Sequence, residues 1–334
     1  MKVFVPEKIK LANLPTPIEK LEVISKETGR NIWIKRDDYT GMDFSGNKIR
    51  KLEYSVAEAL RQGCDTLITC GGSQSNHCRA TAAVCAKLGL SSILVLRGNN
   101  GAELDGNSLL DNLYGARIKM ISPEDYSERR GIIMEDIKKE EGLMGRKCYI
   151  IPEGASNGIG TYGYYNAFLE ILSQEGKELP VFDTVVATVG SGGTFAGLAL
   201  GNKATESNKN IVGFNISSTA EYFISRIMEL NYEFGEISGY SDLTLDDFSI
   251  IDGYAGIGYA LNVPSELSFI ADFGKKHGIV LDPVYTGKTM LGLYTELMND
   301  NPIFRDSKNI LFIHTGGLFG VFPKKDEFMD ILQS

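Results

Sequence analysis

Lys48 has the setting in this sequence best suited to covalent chemistry. It lies in Ser45-Gly46-Asn47-Lys48-Ile49-Arg50-Lys51-Leu52-Glu53-Tyr54, where Gly46 and Asn47 supply turn and cap chemistry and Ile49, Leu52, Val56 and Leu60 repeat at helical spacing. The lysine therefore falls in a first helical turn, whose free N–H groups oppose an ammonium and lower its pKa. That setting suits a lysine working as a neutral amine or held in a Schiff base. A solvated lysine on a basic helix start beside Arg50 and Lys51 is the plain alternative, and only the rest of the chain decides between them.

A second chemical signal is Val189-Gly190-Ser191-Gly192-Gly193-Thr194-Phe195, after a strand and opening a helix. Glycines let backbone N–H groups converge on an anion, and the helix dipole adds to the attraction, so a phosphate is the natural occupant. A dinucleotide fingerprint would need glycine at Phe195, and the next strand ends on Asn215 without a ribose-binding acid. No Gly-Lys-Ser/Thr follows either, which leaves a monophosphate or a purely structural turn.

Three further junctions carry polar groups. Cys70-Gly71-Gly72-Ser73-Gln74-Ser75-Asn76-His77 offers a carboxylate site at a helix start, with Ser75 available for proton transfer and an ordinary Ser75 or Asn76 cap as the plain reading. His77 is expected on the surface of that first turn. Asp282-Pro283-Val284-Tyr285-Thr286-Gly287 places a tyrosine and a threonine at another helix start, and His314-Thr315-Gly316-Gly317 ends the last strand, with Thr315 facing a cleft and His314 the core.

The elements needed to position these residues follow from the hydrophobic pattern. Strands are expected at 31–36, 66–70, 92–96, 118–121, 148–151, 184–188, 210–214 and 310–314, and helices at 76–88, 104–113, 122–141, 164–172, 194–200 and 287–298. This alternation predicts an α/β chain with parallel open sheets, helices on both faces, and two lobes with a cleft between them at the strands' carboxyl ends.

Composition narrows the function classes. The 334 residues carry a formal charge of −9 and no basic face with interleaved aromatics, which argues against a nucleic-acid binder and for a small-molecule partner. No apolar run is long enough to span a bilayer, and the start Met-Lys-Val-Phe-Val-Pro-Glu lacks a signal-peptide core, so the expected location is cytoplasmic. Five cysteines without a C-x-x-C pair indicate reduced core thiols and no metal site, and three histidines give a zinc or triad hydrolase little to work with.

Together, an amine, a monophosphate turn, a carboxylate-binding helix start and hydroxyl donors describe a pyridoxal-phosphate site. Over nearly its whole length the sequence resembles the fold-type II (tryptophan synthase β-like) enzymes. Within them it resembles the D-cysteine desulfhydrase/1-aminocyclopropane-1-carboxylate (ACC) deaminase group, through Leu-Pro-Thr-Pro, Ile-Lys-Arg-Asp-Asp, Gly-Asn-Lys-Ile-Arg-Lys-Leu-Glu-Tyr, Gly-Gly-Ser-Gln-Ser-Asn-His, Gly-Ser-Gly-Gly-Thr, Asp-Pro-Val-Tyr-Thr-Gly-Lys and His-Thr-Gly-Gly. The resemblance implies a large cofactor domain of residues 1–48 plus 161–334, a small domain of residues 49–160 inserted in it, pyridoxal 5′-phosphate in the cleft between them, and a homodimer.

By the same resemblance, Lys48 forms the Schiff base with the cofactor, Asn76 bonds its phenolic oxygen, and Gly190, Ser191, Gly192, Gly193 and Thr194 hold its phosphate. Ser75 receives the substrate carboxylate with Asn76 and His77, Ser156 lies in the substrate pocket, and Tyr285 and Tyr259 face the reacting carbon. Thr286 and Thr315 stand where ACC deaminases carry Glu and Leu, which looks like the desulfhydrases, and either is placed to meet the pyridine nitrogen. A neutral hydroxyl there makes a weaker electron sink than a carboxylate, sufficient for α,β-elimination of a good leaving group. Gly154-Ala155-Ser156-Asn157 and Leu318-Phe319-Gly320 depart from the group's frequent patterns near the substrate pocket. The expected reaction is D-cysteine to pyruvate, sulfide and ammonia. L-cysteate sulfo-lyase and ACC deaminase activities are alternatives on the same scaffold, and a non-catalytic phosphate or amino-acid binder is the alternative of another class.

Overall fold

The computed structural model describes residues 3–98 and 104–333, so the first two residues of the opening segment lie outside it. In chain order the elements are β1 (Ile18–Lys20), α1 (Glu22–Thr28), β2 (Asn31–Arg36), α2 (Asn47–Arg61), β3 (Thr66–Gly72), α3 (Asn76–Leu88), β4 (Ser91–Arg97), α4 (Gly106–Leu113), β5 (Arg117–Ile121), α5 (Pro123–Leu143) and β6 (Cys148–Ile150). They continue with α6 (Gly158–Gln174), β7 (Thr184–Val189), α7 (Gly193–Ala204), β8 (Asn210–Asn215), α8 (Ala220–Ser238), β9 (Ser249–Ile251), α9 (Pro264–His277), α10 (Thr286–Met298), β10 (Asn309–His314) and α11 (Lys325–Gln333). The mixed α/β character and the parallel strands expected from the sequence are both present.

Two sheets form. The larger runs β1-β2-β10-β7-β8-β9, parallel except for the edge strand β1, and the smaller runs β5-β4-β3-β6, parallel throughout. Every residue of β7 is buried, which is why Thr184-Val185-Val186-Ala187-Thr188-Val189 reads as a continuous run without alternation. The expected boundary at residue 160 falls in the first turn of α6.

Helix α2 connects the two sheets' cores. Ile49, Leu52, Val56 and Ala59 pack with Leu67, Ala80 and Val84 beside the small sheet, while Tyr54 joins Tyr162, Phe168 and Phe234 beside the large one. Its backbone lies so close to α6 that a Cβ on Gly163 would stand 2.6 Å from both the Arg50 carbonyl carbon and the Lys51 nitrogen. No larger residue fits there without moving the helix that carries Lys48. Replacing Gly163 with Ala is therefore expected to destabilise the protein by about 1–3 kcal/mol, the usual cost of overpacking. Urea unfolding checks this; an unchanged midpoint would mean that α2 and α6 have room to part.

Candidate active site

The carboxyl ends of β3, β7 and β10 and the amino ends of α2, α3, α7 and α10 surround one cavity that opens to solvent. Among the sequence-derived candidates, Lys48, Ser75, Asn76, His77, Gly190, Ser191, Gly192, Thr194, Tyr259, Tyr285 and Thr315 line it. Three others, Gly193, Ser156 and Thr286, are not on its wall.

Lys48 is half-buried near the start of α2 and its Nζ makes no hydrogen bond or ion pair among the described residues. Burial lowers its pKa to about 8, partly offset by the negative charges of Glu153 and Asp282. The direction matches that expected at a helix start, but removal from water is the main physical cause. The approach is fixed by the last strand: Asn47 N donates to Thr315 O at 3.1 Å, and a Cβ on Gly46, at φ +107°, would meet that oxygen at 2.6 Å. The Asn47 side chain donates to Thr194 Oγ1 at 3.0 Å, tying the starts of α2 and α7 together.

The glycine turn after β7 opens α7 with Gly192 as its cap residue and no side-chain cap from it; the Gly193 N–H has a long bond to Ser156 Oγ, and the next N–H groups of the first turn face no side-chain acceptor among the described residues. Lys51 sits behind the turn, fully buried, donating to Gly154 O at 2.6 Å and Ser156 Oγ at 2.8 Å. A Cβ on Gly193 would stand 2.7 Å from that ammonium, which explains the glycine. Burial and the neighbouring positive charges of Lys48 and Arg226 hold Lys51 well below the usual lysine range. Two buried lysine amines and Arg226, itself paired with Glu229 and Glu233, thus stand around this helix start, a set of donors suited to an anion. Ser156 bonds Ser191 Oγ at 2.7 Å and accepts from Gly193 N at 3.3 Å. It therefore supports this turn from behind, a different place from the substrate-pocket wall expected for it.

At the opposite wall, Ser75 caps α3 by accepting from Cys78 N at 3.2 Å while still lining the cavity. A Cβ on Gly71 would stand 2.5 Å from its Oγ. His77 corrects the expectation of a surface residue: it is only 2% exposed and bonded through Nε2 to Thr69 Oγ1 at 2.8 Å. Because Thr69 Oγ1 donates to Ile151 O, the imidazole must donate from Nε2, leaving Nδ1 as a buried acceptor with no partner. Burial, followed by Lys48 and Lys51, keeps this ring neutral.

Tyr259 and Tyr285 complete the wall. Their hydroxyls are 2.5 Å apart, their rings meet edge to face, and burial raises both phenols so that they hold their protons at neutral pH. Thr315 lines the cavity, whereas Thr286 corrects its expectation. Its Oγ1 is fully buried and committed to Asp282, donating to Oδ1 at 2.7 Å and accepting from Asp282 N at 2.9 Å. The same carboxylate accepts from the N–H groups of Val284, Tyr285 and Thr286, so the start of α10 consumes the threonine. His314 points into the interior as expected, 3.7 Å from Asp38.

Sequence reasoning missed Lys51, Glu153 and Thr188. Lys51 was legible in principle, because three residues after Lys48 on a helix is the same face. Glu153 and Thr188 line the cavity from segments with no motif of their own. Ala155 adopts φ 48°, a left-handed conformation that favours glycine.

Residues 9–316 match the family model described as pyridoxal-phosphate dependent enzyme. The chain is 44% identical over 323 residues to a putative 1-aminocyclopropane-1-carboxylate deaminase of Thermotoga maritima, covering 95% of this chain and 98% of the relative. It is 40% identical over 332 residues to a bifunctional D-cysteine desulfhydrase/1-aminocyclopropane-1-carboxylate deaminase, mitochondrial, of Arabidopsis thaliana, covering 96% and 81% respectively. Among solved structures, an ACC deaminase homologue superposes with a TM-score of 0.87 at 38% identity, covering 97% of this chain and 96% of that one.

In protein stripped of small molecules, the Lys48 amine is expected to react with an acylating reagent along a titration curve centred near pH 8, the neutral fraction rising with pH. An exposed lysine would follow a curve centred near 10.4. Peptide mass spectrometry across a pH series reads the difference; a Lys48 curve that matches the surface lysines would mean that the amine stands in open water and not in the cavity.

Proposed function

Because this chain belongs to the pyridoxal-phosphate-dependent enzyme family, we propose that it catalyses α,β-elimination from a small amino acid, D-cysteine first among candidates, giving pyruvate, sulfide and ammonia. The residues fit that cofactor: a partnerless amine, and a glycine turn whose uncapped helix start is backed by a buried lysine. Lys48, Asn76, Gly190, Ser191, Gly192, Gly193 and Thr194 would hold it, with Thr315 at the ring nitrogen. When bound, pyridoxal phosphate supplies an electron sink that accepts the pair released at the substrate's α-carbon.

The chain's own residues supply the rest. Ser75 and the N–H groups of Asn76 and His77, at the start of α3, receive the carboxylate. Lys48 Nζ, neutral in a substantial fraction near pH 8, takes the α-proton as general base. The Tyr259–Tyr285 hydroxyl pair holds a proton beside the β-substituent and gives it to the departing sulfur. The observation that carries the proposal is the meeting, in one cavity, of a partnerless amine and a protonated phenol pair.

Thr315 favours elimination over cyclopropane ring opening, since a neutral hydroxyl would hold the pyridine nitrogen protonated less strongly than a carboxylate and so leave a weaker electron sink. L-cysteate and ACC remain the alternative substrates. We place the enzyme in the cytoplasm as a homodimer. The five free, buried cysteines suit a reducing compartment. Among the described residues no helix is long and apolar enough to cross a membrane.

A substrate panel tests the reading. Pyruvate release from D-cysteine is expected to exceed that from L-cysteine and L-cysteate, with ACC turned over least. Lys48→Ala should lose about 10²- to 10⁴-fold in kcat, the range of one general base, or more if the lysine also anchors the cofactor. ACC consumed faster than D-cysteine would reverse the assignment, and undiminished turnover by Lys48→Ala would remove the mechanism.

A further inference from the structure

Arg97 ends β4 directly beside Gly72, the last residue of β3, in the register of the small sheet. Its guanidinium is half-buried and makes no hydrogen bond or ion pair among the described residues. The other inward-facing arginines are all committed: Arg50 to Asp37 and Glu170, Arg79 to the Ser45 and Asp43 carbonyls, Arg226 to the Ser156 carbonyl and two glutamates.

The free guanidinium is nonetheless held in place. It lies over the Tyr259 ring at 5.4 Å and the Tyr126 ring at 5.6 Å, cation–π contacts that fix its position and leave its N–H edges unused. Gly72 lines the reaction cavity, and a Cβ built there would stand 3.9 Å from Arg97 Nη2 and 4.0 Å from Tyr259 Cε1. The absent side chain leaves a gap between cavity and guanidinium. Across the mouth, Glu153 already has a cationic neighbour in Arg130 at 3.8 Å.

We propose that Arg97 is a specificity residue that reads negative charge on the substrate's β-substituent through the opening at Gly72. The preferred substrates are then amino acids whose β-group is an anion or ionises to one, such as a thiolate or sulfonate. This rests on the elimination reading for the identity of the β-group, and on geometry alone for the position of the cation. A substrate with a neutral β-carbon, including a cyclopropane, makes no use of it. Tyr259, stacked on Arg97 and hydrogen-bonded to Tyr285, places the proposed anion subsite beside the proposed proton donors.

The test compares two unreactive ligands on the cofactor-loaded enzyme by calorimetry at fixed ionic strength. 3-Sulfopropanoate carries a second anion where butanoate carries a methyl group. Wild type should bind the dianion about ten- to a hundredfold more tightly than butanoate, the range of a hydrogen bond to a charged group. Arg97→Gln should bring the ratio near one, and Arg97→Lys should restore part of it. A merely structural Arg97 would weaken both ligands in parallel and keep the ratio. A retained ratio in Arg97→Gln, or no preference in wild type, overturns the proposal. Should Arg97→Gln fail to retain cofactor, the wild-type ratio and that of Arg97→Lys decide. Absent pyruvate release with the ratio intact would sink the elimination reading and leave the anion subsite standing.

Discussion

The site depends on a buried charge network that holds α2 in place. Arg50, two residues beyond Lys48, lies between Asp37 and Glu170, bonding the first through Nε and Nη2 at 2.8 Å and the second at 2.9–3.0 Å. Lys35 pairs with Glu170 at 2.7 Å, and Thr16 and Tyr164 complete the coordination of Asp37. Burial alone would raise Asp37, yet Arg50 and Lys35 hold it below the usual carboxylate range, so two cations and two anions balance in the interior. Such a network adds little net stability compared with an apolar core, but leaving one member unpaired costs about 3–5 kcal/mol. Its value is positional. With Gly163 of α6 against the backbone at Arg50 and Lys51, it leaves the helix one depth and one rotation, and therefore Lys48 one direction.

That fixed position explains why the cavity carries an excess of positive charge. Lys48 and Lys51 emerge from one helix face, and Arg226 reaches the Ser156 carbonyl from α8. Arg226 is paired with Glu229 and Glu233, whereas the one carboxylate on the cavity wall among the described residues, Glu153, has Arg130 beside it. Burial lowers both lysines, partly offset at Lys48 by Glu153 and Asp282 and reinforced at Lys51 by the charges of Lys48 and Arg226. A phosphate at the glycine turn, as proposed, would offset part of the cost of that burial.

Much of this was legible in the sequence, and what was missed has a physical pattern. The starts of α3 and β7 were read to the residue because small and polar residues interrupt strong hydrophobic periodicity there. Lys48, Ser75 and the glycine turn come together in the structure for the same reason: each lies at a strand-to-helix junction, and parallel strands bring their carboxyl ends to one edge; Tyr259 joins them from the connection between β9 and α9, and Tyr285 from that between α9 and α10. The edge strands β1 and β9 were missed, being three residues each. Thr286 was misjudged because its sequence position leaves open whether a first-turn hydroxyl serves a ligand or its own helix, and Asp282 decides that through a local bond. His77 was misjudged because the acceptor that buries it, Thr69, is on the preceding strand, where a local reading does not look.

The distribution of protons in the cavity bears on which reaction the scaffold favours. Abstraction needs a neutral amine, and Lys48 is brought toward that state by dehydration alone, without a dedicated acid partner. Departure of a β-substituent needs the opposite, a group that keeps its proton until the bond breaks, and burial raises Tyr259 and Tyr285 in the direction that their proposed role would require. One low-dielectric cavity performs both adjustments, because desolvation disfavours the charged form of each group whatever its sign. The amine is brought closer to its neutral form, and the phenols retain their protons. With His77 held neutral by the same effect, base and acids are sorted by burial, while the lysines and arginines around them select for a negatively charged ligand.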